Sequence, residues 1–152
     1  MPLVSLTDLP AKGALLGLDP GSKTIGVAGC DAGHLIASPI ETIVRGKKLA
    51  PALDRLFALY DGRKCVGLVV GLPMNMDGSE GPSAQSARAL VRNILERRDV
   101  PLALWDERLS TAGAERALLE ADTSRARREE LIDKVAAAWI LQGAIDRLNE
   151  GR

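Results

Sequence analysis

Asp19, Asp106, Glu107 and Asp133 are the side chains in this sequence most suited to chemistry. Asp19 follows the apolar run Leu-Leu-Gly-Leu at 15–18, and Pro20-Gly21 then turns the chain. Asp106-Glu107 follows a second strand-like run at 100–105. In open α/β sheets, sites form beyond the carboxyl ends of strands. Side-chain alternation sends Asp106 and Glu107 to opposite faces, so only one of them shares a face with Asp19. Asp133 falls in the first turn of a helix that is apolar nearly all round, among Ile132, Val135, Ala136, Ala137, Trp139 and Ile140. A carboxylate deprived of water needs a cation, a bound hydroxyl or an arginine. Carboxylates on separate elements, without a histidine or cysteine partner, suit a hard ion such as Mg²⁺ or Mn²⁺. Such sites act on phosphate esters, where two ions about 4 Å apart clamp attacking water and leaving oxygen. Each acid also has a blander reading. Asp19 can cap an Asx turn, Asp106-Glu107 can be a solvated strand end, and Asp133 can favour the positive end of its helix.

The elements that must position these acids follow from periodicity. Strands are expected at 15–18 and 24–28, joined by the Pro20-Gly21 turn, with a third at 34–44 after the turn signal Asp31-Ala-Gly33. Pro39 suits an edge strand or a bulge. Residues 48–60 repeat apolar side chains at helical spacing (Leu49, Ala52, Leu53, Leu56, Phe57 and Tyr60). The continuous apolar run CVGLVVGL at 65–72 suits a central strand. A turn-rich loop, 73–82, leads to a helix that Ser83 can cap. Ser110 or Thr111 can cap a third helix, through Ala114, Ala117, Leu118 and Ala121. Residues 122–130 read as a charged irregular segment, and 131–148 as the last helix. Strands alternating with helices imply right-handed crossovers and parallel pairing. The expected fold is α/β, a mixed five-stranded sheet flanked by helices.

Composition narrows the function. The 152 residues suit one domain, with 1–13 as a short leader. Twenty basic and twenty acidic residues cancel, which argues against nonspecific coating of nucleic acid. Basic clusters remain: Arg45, Lys47 and Lys48; Arg97 and Arg98; Arg125, Arg127 and Arg128. The first two read as solvated loop or helix ends. Cys30 and Cys65 form no Cys-x-x-Cys pair, so neither a disulfide framework nor a zinc site is expected, and a reducing cytoplasm fits. His34, the sole histidine, reads as a turn residue. No run is long enough to span a membrane and the start is not a signal peptide. Gly21 and Gly26 have P-loop spacing, but Val27-Ala28 follow instead of Lys-Ser/Thr. The DPGSKTIG turn also resembles the phosphate-binding hairpin of actin-like ATPases.

Three blocks carry a more specific resemblance: LGLDPGSKTIGVAGCD, VVGLPMNMDGSEGPSAQSARAL, and DERLSTAGAERALLE followed by IDKVAAAWILQGAIDRL. They resemble the RuvX/YqgF family, whose members are named as Holliday junction resolvases and as pre-16S rRNA nucleases. The resemblance spans residues 16–148. It implies a ribonuclease H-like fold and a divalent-metal-dependent nuclease, with Asp19, Glu107 and Asp133 as the metal-binding catalytic carboxylates. It thereby selects Glu107 over Asp106. It offers no choice between Asp31 and Asp77 as a fourth acid. Lys23, Asn75, Ser79, Arg108, Arg125, Arg127 and Arg128 are the expected substrate contacts, the arginine cluster serving as a flap over nucleic acid. One departure stands out: the family has Lys-Arg before Ile-Gly, and this chain has Lys23-Thr24. The loss of a guanidinium there removes a charge-assisted phosphate bond.

The expected partner is structured nucleic acid, either a ribosome precursor carrying pre-rRNA or branched DNA, for a monomer or a homodimer. Resolving a four-way junction needs two symmetric cuts and so a dimer. The competing classes are a catalytically silent nucleic-acid-binding factor on the same fold, and an ATP-binding actin-like module.

Overall fold

A computed structural model describes residues 4–10, 12–21, 23–107 and 125–150, with the side chains of 125–133 outside that description. The expected helix after Ser110 or Thr111, and Arg108 with it, lie outside the described residues. Five strands form one sheet: β1 (Ala14–Pro20), β2 (Thr24–Cys30), β3 (Ala37–Val44), β4 (Cys65–Leu72) and β5 (Leu102–Asp106). Their spatial order is β3-β2-β1-β4-β5. β1 pairs antiparallel with β2 and parallel with β4; β2 pairs antiparallel with β3, and β4 parallel with β5. This is the mixed sheet expected from the order of strands and helices. β1 and β4 are central and covered on both faces, which is why they read as near-continuous apolar runs. β3 takes an edge, where Pro39 costs no ladder bond on an outer side. The register shifts between Val27 and Ala28, opposite that proline.

The two faces carry separate cores. Helices α1 (Ala50–Gly62) and α2 (Pro82–Arg97) cover one, packing Leu53, Leu56, Phe57, Leu90 and Ile94 on Leu16, Leu18, Ile25, Leu68 and Val70. The long helix α3 (Arg125–Glu150) covers the other, packing Ala137, Ile140, Leu141 and Ile145 on Leu15, Ala28, Val69 and Ala103. No helix among the described residues is long and apolar enough to cross a membrane.

Several local expectations are corrected. α2 starts at Pro82 with Gly81 at the N-cap, not at Ser83, because proline at the first helical positions needs no N–H partner. Residues 125–130 are the start of α3, not an irregular segment. Arg-Ala-Arg-Arg-Glu-Glu are good helix formers, and charge alone does not break a helix. The third strand starts at Ala37, not at residue 34, because His34, with φ 54°, breaks the extended backbone. His34 is the turn residue expected, its ring is fully buried, and Nε2 donates to Gly13 O at 2.8 Å. Asn149 Nδ2 donates to His34 O at 2.8 Å, so this turn anchors the C-terminal end of α3.

Lys64 caps α1 in the left-handed region at φ 54°, where glycine is favoured, and its N–H donates to Asp61 O. Lys64→Gly is expected to raise stability by about 1 kcal/mol in a urea melt. The two thiols flank β1, opposite Leu15 and Ala14. Burial raises both pKa values, that of Cys65 to about 11. At pH 8 only about one Cys65 in 10³ is then thiolate, the reactive form. Iodoacetamide is expected to leave both cysteines unmodified at pH 8 in the folded protein and to label both in urea.

Candidate active site

The sheet places Asp19 and Glu107 on one face and Asp106 on the other. Along β1, Leu15 packs under α3, Leu16 under α1 and α2, and Leu18 with Leu16. Gly17 faces α3: a Cβ built there would lie 2.6 Å from Leu141 Cβ and 3.1 Å from Ala137 O. Asp19, two residues on, therefore faces α3 as well, and it is only 8% exposed. Along β5, Ala103 and Trp105 face α3 while Leu102 and Leu104 face the α1–α2 side. Glu107 continues the first set and Asp106 the second. The Glu107 carboxylate lies over β4, its Oε1 3.2 Å from where a Cβ on Gly71 would stand. Gly71 is one residue beyond the Leu18↔Val70 pair, level with Asp19 on the adjacent strand. Glu107 and Asp19 thus converge on the same end of β1 and β4. Both carboxylates have further interaction partners.

Asp133 enters through the register of α3. Ala137 and Leu141 lie over Gly17, and Ile140 Cδ1 would be 2.6 Å from a Cβ on Gly71. The far end of the helix lies at the start of β3, where Gln142 Oε1 accepts from Ala37 N–H and Asn149 reaches His34. Moving from Ala137 toward the helix N-terminus therefore moves toward the carboxyl end of β1. Position 133 is one helical turn from Ala137, about 6 Å along the axis. Asp19 is two strand residues beyond Gly17, about 7 Å along β1. The backbone of α3 carries position 133 to the level of Asp19.

The other expected contacts divide. Lys23 is exposed on the turn after Asp19, between β1 and β2. Asn75 and Ser79 lie in the loop after β4 and are bonded to each other rather than open. Asn75 Nδ2 donates to Ser79 Oγ at 2.9 Å, Ser79 Oγ donates to Asp77 Oδ1 at 2.6 Å, and the Ser79 N–H donates to the same oxygen at 2.9 Å. Glu80 and Arg88 pair at 2.9 Å through Oε2 and Nη2, so that arginine holds the Glu80 carboxyl below its usual pKa. The loop is a built turn with Gly78 at φ 89°. Arg125, Arg127 and Arg128 lie in the first turns of α3, at the end of the helix that approaches Asp19. Sequence reasoning missed Gly17 and Gly71. Each is an isolated glycine in a strand-like apolar run, the signal for close backbone or side-chain approach.

Two carboxylates on one sheet end present hard oxygen donors, which fit Mg²⁺ or Mn²⁺. Among the described residues no group of three histidine, cysteine, aspartate or glutamate side chains could hold an ion. The side chain of Asp133 lies outside the described residues; its backbone is in α3, one helical turn before Ala137.

The model of the RuvX Holliday junction resolvase family matches residues 13–147. The chain belongs to the RuvX family. A Cereibacter sphaeroides protein named "Putative pre-16S rRNA nuclease" is 58% identical over 144 residues, covering 95% of this chain and 89% of the relative. One of the same name from Sphingopyxis alaskensis is 60% identical over 140 residues, covering 92% and 91%. Among solved structures, Thermus thermophilus RuvC superposes with a TM-score of 0.54 at 16% identity, covering 90% of this chain and 96% of that one. RuvC in complex with a Holliday junction substrate superposes with a TM-score of 0.52 at 14% identity, covering 90% and 96%. These likenesses confirm the ribonuclease H-like fold of the chain. Membership in this family makes the chain a nuclease, a hydrolase of nucleic-acid ester bonds.

Proposed function

We propose that this RuvX chain is a cytoplasmic, Mg²⁺- or Mn²⁺-dependent endonuclease that cleaves structured RNA at the 5′ end of pre-16S rRNA, with a ribosome precursor as its partner. The convergence of Asp19 and Glu107 on one sheet end, with Asp106 turned to the opposite face, carries the reading. The identity to relatives named for pre-16S rRNA, near three-fifths over almost the whole chain, favours RNA over a DNA junction.

Asp19, Glu107 and Asp133 would hold the metal. Bound there, it would lower the pKa of a water for attack on phosphorus and neutralise the departing 3′ oxygen. The remaining work belongs to the chain itself. Burial at the end of β1 restricts the Asp19 side chain, which helps hold its carboxylate in place. The glycine at 71 leaves room for Glu107. Lys23 offers an exposed ammonium to phosphate, Arg125, Arg127 and Arg128 would supply further cations from the first turns of α3, and Arg108 would supply one next to Glu107. Asn75 and Ser79 act through the loop they brace, presenting it beside the carboxyl end of β4.

The test is cleavage of a labelled pre-16S leader RNA and of a four-way DNA junction across a Mn²⁺ titration, with melting temperature followed in parallel. Metal-dependent cleavage of the RNA, with the junction left intact, is the expected result. Symmetric cutting of the junction by a dimer would move the chain to resolvase chemistry. Nucleic-acid binding without any response to metal would make it a binding factor.

A further inference from the structure

The turn between β1 and β2 is held by a residue from the end of β3. Arg45 Nη1 donates to Gly21 O at 2.6 Å, and the Arg45 backbone N–H donates to Lys23 O at 2.8 Å. Both bonds fall just beyond the last β2–β3 pair, Thr24↔Val44, and two to four residues past Asp19. A guanidinium carries several N–H donors. Arg45 spends one on Gly21, and among the described residues it has no carboxylate partner. The side chain therefore puts a fixed positive charge at the carboxyl end of β1, where Thr24 supplies none.

Three more cations stand beside it. Lys23, Lys47 and Lys48 are exposed and make no ion pair among the described residues. The neighbouring acids are already taken: Glu41 pairs with Arg55 at 2.6 Å, and Asp54 pairs with Arg97. Lys47 and Lys48 also stand just before Leu49, the N-cap of α1, whose first turn contains no acidic residue. A helix N-terminus is positive and disfavours cations, so the two lysines oppose the local field instead of answering it. In a chain of zero net charge, this concentration makes a local positive patch that attracts anions.

We propose that Lys23, Arg45, Lys47 and Lys48 form a rail for the phosphodiester backbone of the substrate, running from the Asp19 end of β1 along the 45–48 segment to the start of α1. Arg45 is the fixed member, because its bond to Gly21 ties the charge to the turn that carries Asp19. The lysines bind as mobile point charges. The rail reads no sequence; it sets the direction in which a strand enters the site. It rests on the nuclease reading above for its substrate.

Equilibrium binding of a labelled single-stranded RNA leader tests it, measured without divalent ions at several salt concentrations. The proteins are wild type, Lys47→Ser/Lys48→Ser, the same pair with Arg45→Met, and Arg92→Ser on the outer side of α2. Removing one cation that neutralises a phosphate lowers the slope of log K against log salt by about 0.7 for a single strand. The triple variant is expected to lose about 2 from the slope, the double variant more than half of that, and Arg92→Ser nothing. Lys47 and Lys48 are exposed, so the double variant reports even if removal of the Arg45 bond unfolds the triple one. An unchanged slope in the double variant, or an equal decrease in Arg92→Ser, overturns the rail. Metal-dependent cleavage by wild type is scored separately. A reduced slope without any cleavage would retain the rail and refute the nuclease, and cleavage with unchanged slopes would do the reverse.

Discussion

Glu107→Gln is expected to lower the cleavage rate at saturating RNA and Mn²⁺ by about 10³-fold or more, while Asp106→Asn stays within a few-fold of wild type. The two acids are adjacent in sequence and similar in chemistry, so the contrast isolates geometry. Glu107 shares a face with Ala103 and Trp105, and its carboxylate lies over Gly71. Asp106 alternates with Trp105 and so points with Leu104, away from the face that Trp105 and Glu107 share. Glutamine keeps the shape but loses the negative charge, and an amide is a far weaker ligand for a hard divalent ion than a carboxylate. Asp19→Asn is expected to match Glu107→Gln, because both would serve one site. Calorimetric Mn²⁺ titration without nucleic acid checks the cause: both variants should lose metal affinity, and Asp106→Asn should keep it. Equal loss of activity in Asp106→Asn would show that the face assignment does not govern the chemistry.

Gly71→Ala is expected to lower stability by about 1–3 kcal/mol and cleavage by about 10²-fold together. A Cβ at this position would stand 2.6 Å from Ile140 Cδ1 and 3.2 Å from Glu107 Oε1. The isoleucine tip is the far end of a flexible side chain and can turn aside, at the cost of some packing under α3. The Glu107 carboxylate must give by a few tenths of an ångström, at the sheet end it shares with Asp19. Gly17→Ala, by contrast, meets Leu141 Cβ and the Ala137 carbonyl, neither of which is a flexible end. It is expected to cost at least as much stability, with activity falling only as far as α3 is lifted. A urea melt and single-turnover cleavage on both variants separate the effects. A Gly71→Ala protein with normal cleavage would show that Glu107 does not need its position over β4.

Much of this molecule was legible in its sequence because local physics governed those parts. The apolar runs at β1 and β4 marked the central strands, since burial on both faces leaves no room for polar side chains. The Pro20-Gly21 turn and the spacing of Leu49, Leu53, Leu56 and Tyr60 were sufficient for a hairpin and a helix, both stabilised by neighbours close in sequence. The resemblance of the three blocks named the acids. Periodicity failed at 125–130, where charge resembled a loop but intrinsic propensity and the rest of α3 kept the backbone helical. It also failed at 34–36, where the apolar pattern suggested strand but the left-handed His34 delays β3 to Ala37; the turn at His34 was legible, the burial of its ring against Gly13 was not.

The sequence by itself determined which residue types are present, where strands end in acids, and that one of Asp106 and Glu107 must turn away from Asp19. The resemblance favoured Glu107, and only the tertiary structure gave the physical ground, by showing which acid shares a face with Asp19. That choice depends on which face of β5 receives α3, and α3 begins nearly twenty residues after β5 ends. The same holds for Arg45. As sequence it was one cation in a solvated-looking cluster. The β2–β3 pairing brings it back across the sheet to the turn beyond Asp19, because antiparallel register joins residues 24 apart in the chain.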